Sequence, residues 1–357
     1  MSEMNEPVKD QGHQCGALSW QVGAVRITSI FEQPLLDIEQ LIPGVTPAIL
    51  ESAQWLKPSF VGEDGKMVGA IQAFVVQTEG KTIVVDCCVG DGKDRPVFAR
   101  YGWHRSQHGF LNRLAAAGIA REDVDIVLCT HLHLDHVGWN TMQVGGQWVP
   151  TFPRARYLVA RREFDHLKSE LAGSPVLAQL GIDADELLAL LAEPGRLHDG
   201  TSTRALTFEQ VVHGAMDLAN RQTWADSILP VIEAGQIDLV DDDHEVCPEV
   251  TLIPTNGHTP GHVSVRIRSG SHEALISGDA IHHPVQMAAP GLSTISDGNP
   301  SHAVETRRKL LASLATNRSL LIGTHFAAPT AGWVREEGAG YRLCCEGHSS
   351  SENADQA

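Results

Sequence analysis

Basic residues are scarce in this 357-residue chain: 27 Lys and Arg stand against 44 Asp and Glu, for a formal net charge of -17. Such a surface repels the phosphates of nucleic acids, so neither DNA nor RNA is an expected partner. No run of about 18 uncharged apolar residues occurs, and the opening MSEMNEPVKDQGHQCG holds no apolar stretch of signal-peptide length. A membrane is therefore not an expected partner either, and the expectation is a cytoplasmic protein. The seven cysteines, Cys15, Cys87, Cys88, Cys129, Cys247, Cys344 and Cys345, form no C-x-x-C pair, which argues against a zinc knuckle and a disulfide framework. Cys87 and Cys88 directly follow the strand-like run Thr82 to Asp86 and read as buried, reduced thiols. G-x-G-x-x-G, the P-loop and the G-x-S-x-G elbow are all missing, so neither a nucleotide cofactor nor a serine nucleophile is indicated.

What the chain does have is apolar material: 42% of its residues are hydrophobic and only 20% charged, enough for a large core. Short β-branched or apolar runs recur at Val22 to Ile30, Ala70 to Val76, Thr82 to Asp86, Asp125 to Cys129, Tyr157 to Val159, Val250 to Ile253, Val263 to Ile267, Ala274 to Ile276 and Leu320 to Ile322. These predict strands of a buried sheet system. Helical spacing at Gly109 to Ala117 and at His302 to Leu314, where Val304, Leu310, Leu311 and Leu314 can share a face, predicts helices between them. Alternation of this kind means layered α/β architecture. Residues 161 to about 234 are rich in Leu, Ala, Glu and Gln and break the strand series, which predicts a helical insertion over the site. The ends, 1 to 17 and 346 to 357, are polar and aperiodic, the pattern of frayed termini, leaving one domain over 18 to 345.

The chemistry concentrates after the strand-like VDIVLC run, in Thr130-His131-Leu132-His133-Leu134-Asp135-His136. Extended residues two apart point to the same side, so His131 and His133 can reach one ion, while Asp135 and His136 at the following turn can face a second. Three more strand-like runs each end in a candidate ligand. They deliver His258 in PTNGHTPGH, Asp279 in ISGDA and His325 in LLIGTH. Ligands gathered from several strand ends are what a site at one edge of a sheet requires.

HLHLDH, GHTPGH, SGD and GTH in this order resemble the metallo-β-lactamase superfamily, over roughly residues 69 to 330. The resemblance implies a four-layer αββα sandwich with a helical insertion. It also implies His131, His133 and His258 on one metal, Asp135, His136 and His325 on the other, and Asp279 bridging both. Two divalent ions, with zinc the expected metal, would hold a hydroxide that attacks the substrate, with Asp135 touching it as a catalytic group. His262 is then a supporting residue, and Asp86 resembles the strand-end aspartate that holds a ligand imidazole from behind.

β-Lactamases of the commonest kind carry cysteine where this chain has Asp279. The bridging aspartate and the intervals 258 to 279 and 279 to 325 resemble instead the homoserine-lactone lactonases and parathion-hydrolase-like enzymes. A small-molecule ester, lactone or phosphotriester is the expected substrate. Many lactonases place a tyrosine three residues after the bridging aspartate. Here that position is His282, which can act as a catalytic proton donor or be a plain loop residue. Trp103, His104, Trp139 and Asn140 flank the ligand loop and suit either a substrate wall or core packing. Two other chemistries share the fold: a mononuclear iron sulfur dioxygenase, which needs no second set of ligands, and an RNA-processing nuclease, which needs a basic surface. A homodimer is expected on general grounds.

Overall fold

In a computed structural model of the protein, which describes residues 17–192 and 206–345, the β-branched runs form two facing seven-stranded sheets. The first contains β1 (Ser19–Val22), β2 (Val25–Leu35), β3 (Gly69–Thr78), β4 (Lys81–Val85), β5 (Ile126–Cys129), β8 (Arg156–Ala160) and β9 (Ile237–Val240), adjacent in that order. A separate hairpin, β6 (Thr141–Val144) and β7 (Gln147–Pro150), interrupts the series. The second sheet runs β10 (Glu245–Cys247), β11 (Val250–Pro254), β12 (Val263–Ser269), β13 (His272–Ile276), β14 (Leu320–Ile322), β15 (Ala331–Glu337) and β16 (Gly340–Cys344).

Parallel neighbours need a crossover, and each has one. The helix Phe110–Ala116 lies between the parallel pair β4 and β5, and the helix Pro300–Asn317 between β13 and β14. Between the faces, Phe74, Val76, Val85 and Leu128 of the first sheet pack with Leu252, Val265, Ile276 and Ile322 of the second. Full burial of each such side chain contributes about 1.5–3 kcal/mol. On the outer faces, helix residues such as Leu114, Leu311 and Leu314 close a second apolar cluster. The result is the four-layer αββα sandwich with β13 and β14, β4 and β5 near the middle of their sheets.

The run Val22 to Ile30 is not one strand. The chain reverses at Gly23, with φ +57, so that Ser19 pairs with Thr28 across a tight hairpin. A side chain on Gly23 would stand 2.5 Å from the carbonyl oxygen of Ser269, so both the turn and the close approach require glycine. The edge strands β9, β10 and β16, and β15 beside the last of them, escaped the apolar-run criterion because charged residues such as Asp238, Glu245, Glu336 and Arg342 interrupt them, and the hairpin β6–β7 because its strands are short and partly polar.

Between β8 and β9 the described residues are mainly helical: Arg161–Leu171, Val176–Leu180, Ala184–Ala192, Phe208–Thr223, a π-helical turn at Trp224–Ile228, and Leu229–Glu233. Leu177, Leu180, Leu187, Leu190 and Val211 give this segment a small core of its own. The terminal segments expected to be frayed lie outside the described residues, save for Ala17. Among the described residues no helix is long and apolar enough to cross a membrane.

Candidate metal centre

After β5 the chain bends at Thr130, His131 and His133, which brings the His131 and His133 rings together while Leu132 between them is buried in the core. One helical turn, Leu134–Val137, then swings Asp135 and His136 around. That turn packs tightly on the loop after β4: Cys87 N–H donates to the carbonyl of His136, and a Cβ at Gly138 would lie 1.8 Å from the Val89 carbonyl oxygen. The loop after β11 carries His258, the turn after β13 carries Asp279, and the segment after β14 carries His325. All four loops meet at one edge of the sandwich.

The residues converge as two groups, in each of which the ligand atoms lie within 4.8 Å of one another: His131, His133, His258 and Asp279, and Asp135, His136 and His325. In the first, His133 Nδ1 stands 3.0 Å from both His131 Nε2 and His258 Nε2. Asp279 Oδ2 is 3.3 Å from His258 Nε2 and 3.6 Å from His131 Nε2. The other oxygen of the same carboxylate, Oδ1, turns to the second group, 3.0 Å from His325 Nε2 and 3.3 Å from His136 Nε2. Asp135 Oδ2 completes that group at 3.6 and 3.7 Å from the same two nitrogens. Asp279 thus lies between both groups. His133 and Asp135 are half-buried and mark the open side, whereas the other five are buried.

The hydrogen bonds behind the rings settle which nitrogens face inward with lone pairs. Asp86 accepts from His136 Nδ1 at 2.9 Å, and also from Thr130 N and Oγ1. Because the Thr130 hydroxyl proton is given to Asp86, its oxygen accepts from His131 Nδ1 at 3.2 Å. His258 Nδ1 donates to Asp297 at 3.0 Å, and His325 Nδ1 to the carbonyl of Ala70 at 3.0 Å. With the Nδ1 protons so placed, each neutral ring of His131, His136, His258 and His325 turns an Nε2 lone pair toward the other rings and the carboxylate oxygens. Asp279 Oδ1 is buried with no hydrogen-bond donor at all. Buried acceptors facing acceptors repel unless cations lie between them, so this donor set fits divalent ions held by nitrogen and oxygen.

The same environment splits the imidazoles. Burial, reinforced by neighbouring imidazoles, holds His131 and His133 well below the ordinary histidine range. Burial acts on His136 and His325 too, but Asp279 and Asp135, with Asp86 also beside His136, outweigh it and raise both.

His262 faces away from both groups. Its Nε2 accepts the backbone N–H of Asp279 at 2.8 Å and its Nδ1 donates to Thr255 Oγ1 at 2.9 Å, so it fixes the backbone of Asp279. Gly278 makes room for that contact: its φ is +52 and a Cβ there would be 2.6 Å from His262 Nε2. His282 is buried with Nε2 3.1 Å from Asp279 Oδ2, while its Nδ1 has no partner. Trp139 is packed away, stacked on Phe110 and donating Nε1 to Glu32, and Trp103 is buried against Phe98. Asn140 is buried under Tyr157, whose hydroxyl donates to its carbonyl. His104 accepts from the backbone of Arg95. Cys87 and Cys88 are free and buried.

Three buried groups escaped sequence reading: Asp297 behind His258, Glu163 and Arg307. Glu163, from the first insertion helix, accepts from Leu132 N at 3.1 Å with one oxygen and from Thr259 Oγ1 and Gly261 N with the other, joining two ligand loops. Nothing in the local sequence of a lone acid signals such a partner.

A sequence model of the metallo-beta-lactamase superfamily matches residues 67–325. No curated protein matches the chain. Among solved structures, AbOPH, a hydrolase in the beta-lactamase superfamily, aligns with TM-score 0.68 at 23% identity over 93% of this chain and 98% of its own. AidC, a dizinc quorum-quenching lactonase solved with a product, aligns with TM-score 0.63 at 20% identity over 93% and 98%. A probable metal-dependent hydrolase from Staphylococcus aureus aligns with TM-score 0.62 at 17% identity over 91% and 99%.

Proposed function

From the premise that the chain belongs to the metallo-β-lactamase superfamily, we propose that it is a dinuclear metal-dependent hydrolase of a small ester, lactone or phosphotriester. The observation that carries this reading is the pair of ligand groups that share the two oxygens of Asp279. His131, His133 and His258 would hold one ion, Asp135, His136 and His325 the other, with Asp279 bridging. When bound, such ions supply Lewis acidity, polarising the substrate oxygen and making water nucleophilic near neutral pH. Zinc is the proposed metal, on the mixture of imidazole and carboxylate donors.

The protein's own groups do the rest. Asp135 stands at the half-buried side of the site, where its Oδ2 can orient the attacking water. His282 has Nε2 beside Asp279 and its backbone N–H fixed by Gln286 Oε1 at 2.8 Å. Its Nδ1 has no partner, which leaves that nitrogen free to take a proton from the attacking water and hand it on to the leaving oxygen. The net charge of -17 favours neutral substrates over anionic polymers. The lactonase AidC on the same fold makes esters of the lactone type natural candidates.

Elemental analysis, combined with hydrolysis of p-nitrophenyl esters, lactones and phosphotriesters with and without chelator, tests this. About two zinc ions per chain and chelator-sensitive turnover are the expected results. One iron per chain and no hydrolysis would overturn the reading in favour of redox chemistry.

A further inference from the structure

The helix Pro300–Asn317 turns Ala303, Arg307, Leu311 and Leu314 inward, a face displaced from the one its leucines and valine suggest. An arginine in the middle of this apolar stripe is unexpected, and it is fully buried. Taking a guanidinium out of water costs several kcal/mol, and a methionine would dock the helix as well. Its donors show what it does instead. Nε donates to the carbonyl of Ala280 at 2.9 Å, the residue that follows Asp279. Nη1 donates to Pro290 O at 3.3 Å and to Leu292 O. Those two carbonyls begin the loop that ends in Asp297. Nη2 has no hydrogen-bond partner and stands 3.9 Å from Asp297 Oδ2, the carboxylate whose other oxygen takes the Nδ1 proton of His258.

We propose that Arg307 is a positioning residue for the metal centre: it ties the backbone after Asp279 to the loop of Asp297 and holds that carboxylate aimed at His258. The chain Arg307, Asp297, His258 then fixes the ring with its Nε2 lone pair inward. The bridging residue and the ring are held from one side chain. Arg307 has no hydrogen bond to a proposed ligand side chain, so its effect passes through Asp297 and through the carbonyls of Ala280, Pro290 and Leu292. The inference rests on the metal-binding reading of the site and adds to it the residue that sets the affinity of one half.

The test is a zinc titration of metal-free protein in competition with a chromophoric chelator. It compares wild type with Arg307→Gln, Arg307→Met, Arg307→Lys, Asp297→Asn and the double variant Arg307→Gln/Asp297→Asn. Both neutral variants are expected to weaken one of the two zinc equivalents by about 10- to 100-fold, the range for outer partners of metal ligands. Lysine, which keeps the charge beside Asp297, is expected to recover most of that loss. The double variant is expected to bind little worse than Asp297→Asn alone, because both changes act on one chain of contacts. Neutral variants that bind both equivalents as tightly as wild type overturn the inference, and so do lysine that recovers nothing and effects that multiply in full. A wild-type chain that binds no zinc overturns the proposed function itself, an outcome read before any variant is compared. Using glutamine as well as methionine keeps the test decisive if one of them does not fold.

Discussion

Every proposed ligand sits on a segment leaving a strand of the sandwich, whereas the helices between Arg161 and Glu233 contribute none. What they contribute is grip. Glu163 holds the loops of His131 and His258 together, and Asp226, in the π-helical turn, takes both terminal nitrogens of Arg95 at 2.7 and 2.8 Å. Lys93 donates to the carbonyl of Asp226 at 3.0 Å and to Thr141 Oγ1 at 2.6 Å, binding the loop after β4 to the same turn. Ladder hydrogen bonds fix a strand end to a fraction of an ångström, and that precision is what metal ligation needs. A helical segment with a small satellite core is less constrained, and here it meets the ligand loops through buried charges as well as through apolar side chains such as Leu167, Ala219 and Ile228. The sandwich sets the chemistry and the insertion clamps the loops that carry it.

If that division is right, damage on the two sides separates into different measurements. The largest effect is expected on the sandwich side. His133→Ala should abolish turnover with the melting curve nearly unchanged, and Asp279→Ala should bring metal content, measured by elemental analysis, below two ions per chain. Retention of both ions without Asp279 would refute its bridging role.

Next in size comes the clamp. Asp226→Asn leaves Lys93 and Arg95, both with fully buried side chains, without their shared carboxylate. Stranding buried charge in this way costs about 3–5 kcal/mol, read as a lowered urea midpoint. Metal stoichiometry should stay at the wild-type value. Should metal be lost in proportion to stability, clamp and site are one unit and the comparison fails.

A smaller effect is expected from Glu163→Gln, since the amide keeps the shape but presents a donor where three donors already converge. About 1–3 kcal/mol of stability should go, with kcat/KM reduced and both ions retained. Glu163→Met serves as the control. If it behaves like wild type, the residue is packing and not a tie between loops.

This same division explains what was legible beforehand. His131, His133, Asp135 and His136 fall within six residues, so one extended stretch and one turn suffice to read them as a site. His258, Asp279 and His325 each follow an apolar run with glycine nearby, a local pattern too. Asp297, Glu163 and Arg307 are different. Asp297 is 39 residues from His258, and Glu163 is 96 residues from Thr259, so each meets its partner only after the chain has folded. Arg307 even misleads, because a charged residue on an otherwise apolar helix reads as solvent-facing, whereas the buried face is Ala303, Arg307, Leu311 and Leu314. The hairpin at Gly23 was hidden for a related reason: one glycine inside a β-branched run reverses the chain without changing its composition.

The smallest expected effect is at His262, which accepts the backbone N–H of Asp279 and belongs to neither group of candidate ligands. Burial holds its imidazole at about 3, far below its ordinary value. Between about pH 3 and 6.5 the unfolded chain therefore binds a proton there that the folded chain refuses. By linkage, this stability is fully present above the unfolded value and is lost as pH falls toward the folded one. His262→Gln keeps an acceptor for the Asp279 N–H but removes the titration. Its unfolding free energy from urea melts should fall less steeply on acidification than that of wild type, by at most one proton's worth of slope. Parallel slopes would mean that His262 is not the neutral acceptor its contacts describe. Turnover offers the second check: the loss at His262 should be well short of that at His133, and equal losses would move the line between ligand and support to the wrong side of the GHTPGH loop.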